Sequence, residues 1–131
     1  MKESSFRFSN PGIVYMKFVE NSNFRLEQEK EIEIGTKIQV KHNETRGYEC
    51  DVNVAICIGE ESEAKPFLLE IEVSACFKWD ESVEKDKVDF LLNQNAPALL
   101  ISYARPIVAM ITNASHYPVY NLPFIDLTGE R

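Results

Sequence analysis

The 131-residue sequence is poor in the residues from which most catalytic and cofactor sites are built. It has three cysteines, two histidines and five glycines, with no phosphate-binding glycine loop, Rossmann fingerprint or G-x-S-x-G motif among them. His42 and His116 lack a histidine or acid partner at metal-ligand spacing and are predicted to be ordinary loop histidines. The acidic turn Glu60–Glu63 lacks the alternating ligands of an EF-hand. The sequence therefore predicts no catalytic residue, no metal and no cofactor.

Signals for export, membrane insertion and nucleic-acid binding are also missing. Met1–Ser9 contains no apolar run of signal-peptide length, so we expect a cytoplasmic protein. The most apolar stretch, Ala96–Ile111, is interrupted by Arg105 and is shorter than the roughly 20 residues that cross a bilayer. The net charge of 14 − 21 = −7, without a stripe of lysine and arginine, argues against a nucleic-acid partner.

The three cysteines, Cys50, Cys57 and Cys76, are odd in number and have no C-x-x-C spacing. All three lie in strand-like sequence, which is typical of reduced, buried cysteines in a cytosolic protein.

What the chain has instead is ample apolar sequence and an uneven distribution of charge. It is 44% hydrophobic and carries 8 Phe, 5 Tyr and 1 Trp, which predicts one folded domain over residues 1–131. From Phe90 to Ile125 the only charged side chain is that of Arg105. This segment is therefore predicted to be buried or to contact a partner.

Alternation of apolar and polar residues predicts four antiparallel strands. Tyr48–Gly59 and Phe67–Trp79 each place one parity inward, and the polar connection between them predicts a hairpin. Glu31–Lys41 alternates in the same way and adds a third strand to the meander. The first strand, Ile13–Val19, is apolar on both faces, which favours cover by helices on one side and another subunit on the other.

A charged crossover over Asp80–Lys87, with room for a short helix, separates the strands from a long predicted helix. The helix begins near Pro97, ends near Ser115 and contains Pro106, which should bend it. Ile101 and Val108 make its second face apolar, so it should pack on the sheet and on something else. The predicted fold class is α+β, a four-stranded antiparallel sheet with a long helix on one face. The first apolar face of the helix comprises Leu99, Leu100, Tyr103, Ile107, Met110, Ile111 and Ala114.

Two features indicate binding. Glu49, Asp51, Glu70 and Glu72, with Leu68, are predicted to share the outer face of the sheet. This acidic patch fits a basic partner segment, although simple solubility of an exposed face is the alternative. The second feature is a set of aromatic residues where the last strand, crossover, helix and C-terminal segment should meet. Its members are Phe77, Trp79, Phe90, Tyr103, Tyr117, Tyr120 and Phe124.

The C-terminal third of the chain, Ala98–Leu127, carries a recognisable series of short motifs. Tyr103–Arg105 matches a Tyr-Ala-Arg helix motif, Tyr117–Pro118 an aromatic-Pro step, and Asn121–Pro123 with Ile125 a tail motif. In these motifs the chain resembles the SecB export-chaperone family.

The match extends beyond these motifs but is not complete. The strand Phe67–Phe77 is similar to the fourth strand of the family, whereas Phe124, Asp126 and Leu127 depart from its tail motif. The resemblance implies a SecB-like fold, a dimer of dimers and an ATP-independent holdase without enzymatic activity. Such proteins bind unfolded preproteins in hydrophobic grooves and pass them to the SecA motor.

The resemblance also assigns site residues. Leu68 and Glu70 correspond to the acidic SecA-docking patch of the family, and Glu20 is the nearest substitute for its first-strand acid, because Phe18 occupies the expected position. The residues expected to bind clients are Phe77, Trp79, Phe90, Tyr117, Tyr120 and Phe124.

Other functions remain open at this point. Family members usually continue into a further helix, for which Thr128–Arg131 leaves no room, so a SecB-like chaperone of a toxin–antitoxin pair is an alternative. A hot-dog-like thioesterase or ligand-binding domain also combines an antiparallel sheet with one long helix. Such an enzyme needs a carboxylate or comparable group near that helix, and Phe90–Ile125 offers none. A purely structural subunit is the third alternative.

Overall fold

Five antiparallel strands and one long helical segment form the computed structural model, which describes residues 4–24, 33–43, 45–62 and 64–127. The strands are β1 (Phe6–Phe8), β2 (Gly12–Glu20), β3 (Thr36–His42), β4 (Glu49–Gly59) and β5 (Phe67–Trp79). The helical segment comprises α1 (Lys85–Phe90), a π-helical turn (Leu91–Asn95) and α2 (Ala96–Asn113).

The strands make one sheet in which β5 is central. β4 pairs with one side of β5 along nearly its whole length, while β2 and then β1 pair with the other side. Pro11 separates β1 from β2 and has no N–H to donate to a ladder. The α+β fold and the antiparallel sheet with a long helix are confirmed. The prediction of four strands omitted β1, but the five strands fill four lateral positions.

The strand bounds follow the alternation of the sequence closely. β5 spans the predicted residues, and β4 begins one residue later than predicted, with Tyr48 exposed outside it. β3 begins at Thr36, whereas the predicted strand began at Glu31; residues 31–32 lie outside the described part of the chain.

The tight β4–β5 connection depends on a glycine. Gly59 ends β4 with a φ of +76°, a conformation that L side chains rarely adopt. A Cβ at this position would lie 2.1 Å from the carbonyl oxygen of Phe67. The hairpin therefore has no space for a side chain at its closing residue.

The core lies between one face of the sheet and the helical segment. It is built from alternate residues of β4 and β5 and from one stripe of α2, formed by Leu100, Ile101, Ala104 and Val108. The buried stripe combines Leu100 of the first predicted face with Ile101 and Val108 of the second, so neither predicted face alone is the one that meets the sheet. Both faces are apolar, and periodicity alone does not distinguish which of them meets the sheet. The other face leaves Tyr103 and Met110 exposed.

The charged crossover is shorter than predicted because the helical segment already begins at Lys85. The π-helical turn joins α1 to α2 without an intervening loop. Next to it, the Nε2 of His42 lies 2.5 Å from the carbonyl oxygen of Leu92. His42 therefore connects the end of β3 to the π-helical turn. The prediction of an ordinary loop histidine is wrong at this position.

Candidate peptide-binding surfaces

The six aromatic residues predicted to bind clients differ sharply in exposure. Phe77 and Trp79 are only 3% and 6% exposed, because they belong to the parity of β5 that faces the core. Phe90 and Phe124 are 57% and 98% exposed. The structure thus assigns Phe77 and Trp79 to the core and leaves Phe90 and Phe124 accessible.

Tyr117 and Tyr120 are half-buried and belong to a segment with a distinct role. Residues 116–127, here called the strap, follow α2 and belong to no helix or strand. The ring of Tyr117 packs against Phe67, with ring centroids 6.4 Å apart. The backbone N–H of Tyr120 donates to Oγ1 of Thr112 over 2.8 Å, and its hydroxyl lies 2.7 Å from Oγ1 of Thr36. Tyr120 thereby bridges α2 and β3.

Thr112 is suited to hold the strap because its hydroxyl is buried and oriented. Its Oγ1 donates to the carbonyl of Val108 over 2.9 Å, which leaves its lone pairs free to accept the Tyr120 amide. Thr112 is the buried polar residue among a stripe of apolar side chains on α2. Its burial is therefore explained by the strap.

Arg105 holds the strap about two helical turns before Thr112. Its Nη1 donates to the carbonyl of Leu122, and its Nη2 donates to the carbonyl of Pro123 over 2.9 Å. The guanidinium carbon lies 5.4 Å from the centre of the Phe124 ring, within cation–π distance. The strap therefore runs back along α2, antiparallel to it, between the helix and β3.

Leu122 is the buried anchor of the strap. It is 4% exposed and belongs to the core cluster, although its neighbours Asn121, Pro123 and Phe124 are exposed. Tyr117, Tyr120, Ile125 and Leu127 are partly buried against the same core, so Leu122 is the fully buried member of a set of apolar strap contacts.

The start of the strap is attached to β2 through Glu20. Glu20 Oε1 accepts the backbone N–H of His116 over 2.6 Å, and Oε2 lies 2.7 Å from Nδ1 of the same residue. The His116 backbone N–H, and then its ring, lower the pKa of Glu20, while the bond to Glu20 raises the pKa of His116. His116 therefore has a specific partner, contrary to the prediction of an ordinary loop histidine.

The predicted docking residues do not share one face of the sheet. Leu68 and Glu70 occupy the outer face, away from the helix, opposite Val19 and Lys17 of β2. Glu20 pairs with Phe67, so it lies on the helix side. The structure therefore brings Leu68 and Glu70 together and places Glu20 with the strap.

The outer face carries both signs of charge. Four residues lie side by side across this face, one from each strand, in the order Lys17 (β2), Glu70 (β5), Cys57 (β4) and Lys37 (β3). Lys17 also forms an ion pair of 3.0 Å with Glu61, a surface contact that contributes little stability. A shallow concavity of about 470 Å³ lies on this face. The predicted acidic patch is thus a mixed surface in which lysines flank the acids.

The two edges of the sheet differ in character. The β2 edge exposes a run of apolar side chains, comprising Ile13, Val14, Tyr15, Met16 and Val19, and its one lysine, Lys17, is ion-paired with Glu61. The β3 edge is shorter and carries Lys37 and Lys41. Lysine on an edge strand discourages pairing with other chains, whereas an apolar edge favours it.

The cysteines form no disulfide in this structure. Cys50 is buried and Cys57 and Cys76 are half-buried, and desolvation raises the pKa of all three thiols. A raised thiol pKa disfavours the reactive thiolate, so these residues are suited to packing.

Within the described residues, no helix is long and apolar enough to span a membrane. The same part of the chain contains no group of three histidine, cysteine or acidic side chains arranged to hold a metal ion.

The strap contacts were not predicted from the sequence, although a signal for one of them was present. Arg105 is the lone charge in a long uncharged segment. A lone charge among apolar residues needs a specific partner, and the strap carbonyls and the Phe124 ring supply it. Thr112 and the Glu20–His116 contact gave no comparable signal, because their partners lie far apart in sequence.

Comparison with solved structures identifies similar folds. The Mycobacterium tuberculosis SecB-like chaperone Rv1957, in complex with a ChAD peptide from the Rv1956 HigA1 antitoxin, matches with a TM-score of 0.67 at 9% identity, over 92% of this chain and 90% of that chain. A Streptococcus agalactiae protein of unknown function matches with a TM-score of 0.55 at 10% identity, over 91% of this chain and 97% of that chain. At these identities the matches concern the fold.

Comparison of sequences adds a relative and a family. The uncharacterized protein MJ0357 of Methanocaldococcus jannaschii is 24% identical over 127 residues, which cover 95% of this chain and 81% of that protein. The model of the family described as preprotein translocase subunit SecB matches residues 15–129. This match includes β2 to β5, the helical segment and the strap, and it supports a chaperone function over an enzymatic one. The chain belongs to the SecB family.

Proposed function

We propose that this SecB-family protein is an ATP-independent holdase that binds unfolded polypeptides and keeps them from aggregating. The observation that carries the proposal is the 98% exposure of Phe124, whose ring is held on the guanidinium of Arg105. A large aromatic side chain kept in water at a defined position favours contact with a partner, because its burial there releases apolar surface from water. Phe90 adds a second exposed aromatic side chain.

The proposed clients are non-native chains with extended apolar segments, preproteins among them. A client of antitoxin type is the second candidate. It is favoured by the TM-score of 0.67 to the SecB-like chaperone Rv1957, whose structure contains a peptide from the HigA1 antitoxin. Both candidates require the same property, a surface that accepts apolar segments without a fixed sequence.

The exposed apolar surfaces outside the strap support self-association. The β2 edge and the exposed face of α2, with Tyr103 and Met110, leave large apolar side chains in water. We therefore propose a homo-oligomer, a dimer of dimers, in which these surfaces are covered by other copies of the chain. The proposed setting is the cytoplasm, where non-native clients are synthesised.

Delivery of clients to a SecA-type motor is a separate part of the proposal. Glu70 supplies an acidic group on the outer face of the sheet, and its neighbour on that face, Leu68, is only 9% exposed, so the carboxylate is the group that a basic partner segment would contact. Lys17 and Lys37 flank Glu70, so the proposed contact is short and centred on β5. Glu20 enters the proposed function through the strap instead.

Aggregation of a reduced, unfolded client, followed by light scattering without nucleotide, tests the holdase. The unsubstituted protein should suppress the scattering, and Phe90→Ala should weaken suppression, because Phe90 is exposed and lies outside the strap. Val119→Ala, a change at an exposed strap residue, should leave suppression unchanged. A large excess of folded protein that leaves aggregation unchanged contradicts the proposal.

Binding to SecA tests the docking surface separately from client binding. Glu70→Lys should weaken SecA binding and leave aggregation suppression intact. Native mass should remain that of the unsubstituted protein for both Phe90→Ala and Glu70→Lys. Equal loss of both activities, or loss of assembly, would indicate general structural damage instead of two distinct surfaces.

A further inference from the structure

The strap is itself an extended apolar peptide seated on the proposed client surface. It contains Val119, Leu122, Phe124 and Ile125 among polar residues, and residues 118–126 belong to no helix or strand. Some of its contacts with the body use backbone groups that any polypeptide offers, and others use particular side chains. The strap therefore shows which features of a peptide this surface can recognise.

Arg105 forms hydrogen bonds with the backbone of the strap. Its guanidinium donates to two consecutive carbonyls, those of Leu122 and Pro123. Carbonyl groups occur in every residue, so this contact imposes no side-chain sequence on a client. Proline at the second position is tolerated, because the contact uses its carbonyl and not the N–H that proline lacks.

Two side chains of the strap supply the sequence preference. Leu122 fills a buried aliphatic position in the core, and Phe124, two residues later, places its ring on the guanidinium of Arg105. An aliphatic residue followed after one residue by an aromatic residue would make the same contacts. This pattern is short and common, which suits a protein with many clients.

We propose that Arg105 and the buried position of Leu122 form a peptide-recognition subsite, which the strap fills in the free protein. A client segment with the pattern aliphatic–any–aromatic displaces the strap and occupies this subsite. The inference rests on the proposed holdase function and adds a substrate preference and an autoinhibitory contact to it. The strap can leave without breaking a sheet ladder or a helix, because it belongs to neither. Its hydrogen bonds to side chains of the body and its apolar contacts with the core are of kinds that a bound client segment would replace. Its start stays attached through Glu20 and His116.

Release of the strap by substitution should increase the affinity for a client segment. The probe is a fluorescently labelled synthetic peptide with the sequence of residues 117–127. Leu122→Asn removes the buried anchor and should strengthen binding of this probe about tenfold or more, since the apparent dissociation constant falls as the open fraction rises. Val119→Asn, at an exposed strap position, is the matched control and should bind like the unsubstituted protein. Adding Arg105→Met to Leu122→Asn should abolish the gain, because methionine has no N–H group to donate to the client carbonyls.

A second measurement uses the unsubstituted protein. Hydrogen exchange at the amide of Tyr120, which donates to Thr112, should accelerate when reduced, carboxymethylated α-lactalbumin saturates the chaperone. Unchanged probe affinity in Leu122→Asn, or unchanged Tyr120 protection at saturation, overturns the displacement proposal. If the protein still suppresses aggregation in that case, the holdase function stands and clients bind elsewhere. If it neither binds α-lactalbumin nor suppresses aggregation, the proposed function fails together with the subsite.

Discussion

Replacement of Thr112 by valine tests how far the attachment of the strap depends on one hydroxyl group. Thr112 is fully buried, donates to the carbonyl of Val108 and accepts the amide of Tyr120. Valine has nearly the same shape, so Thr112→Val removes the acceptor without opening a cavity. The carbonyl of Val108 keeps a helical partner, whereas the Tyr120 amide loses its own.

The expected loss of stability follows from the Tyr120 amide, which is half-buried and would be left without an acceptor. Removing the partner of such an N–H group costs about 1–2 kcal/mol of free energy. This corresponds to a roughly 5- to 30-fold change in an equilibrium constant. Thr112→Ser is the matched control, because it keeps the hydroxyl and removes one buried methyl group at a cost of about 1 kcal/mol. The two variants should therefore lose similar global stability and differ in the strap.

Urea unfolding followed by circular dichroism measures the first quantity, and hydrogen exchange at the Tyr120 amide measures the second. Thr112→Val should accelerate exchange of this amide roughly 5- to 30-fold, while Thr112→Ser leaves it close to that of the unsubstituted protein. Equal acceleration in both variants, or none in either, would refute the assignment of the hydroxyl as the group that holds the strap.

Two further predictions concern the hairpin and the start of the strap. Gly59→Ala should lower the free energy of unfolding in urea by about 2–4 kcal/mol, because the new Cβ would overlap the carbonyl of Phe67 at a residue with positive φ. Gly12→Ala is the control and should be nearly neutral, because the space around its Cβ is open. A small effect at Gly59 would contradict the hairpin geometry. The Glu20–His116 pair should contribute its full stabilisation of the folded state between pH 4.5 and 6.5, the ordinary pKa values of the two groups. This stabilisation should be lost as the pH rises through the raised pKa of His116, and also as the pH falls through the lowered pKa of Glu20. An NMR titration should give His116 a pKa above 6.5 that returns toward that value in Glu20→Gln; an unshifted His116 in the unsubstituted protein would argue against the contact.

The sheet was more predictable from the sequence than the helix faces or the strap. The alternation in Phe67–Trp79 reports directly which side chains face the core, so the bounds and buried face of β5 follow from it. Phe77 and Trp79 belong to that alternation, which places them on the buried face, whereas their aromatic character and their position beside the helix and C-terminal segment suggest client binding. In α2 both faces are apolar, and only tertiary packing selects the stripe with Ile101 and Val108.

The position of Glu20 illustrates a different limit. The β2–β5 register shifts between Ile13 and Tyr15, after which Phe18 and Glu20 face the helix side. Strand periodicity indicates that these two residues share a face, but it does not indicate which side of the sheet that face meets. Contacts such as Arg105 with Leu122 join residues whose proximity depends on the path of the strap, which has no periodic sequence signal.

The contrast between the two edges of the sheet limits how far copies of this protein can associate through their strands. If two β2 edges pair, each copy uses its apolar edge once, and the lysine-bearing β3 edges become the outermost strands. Further addition would have to bring Lys37 and Lys41 against the same groups of another copy, and like charges on neighbouring strands repel each other. Strand pairing of this kind would therefore stop at two subunits and would not extend into a fibre.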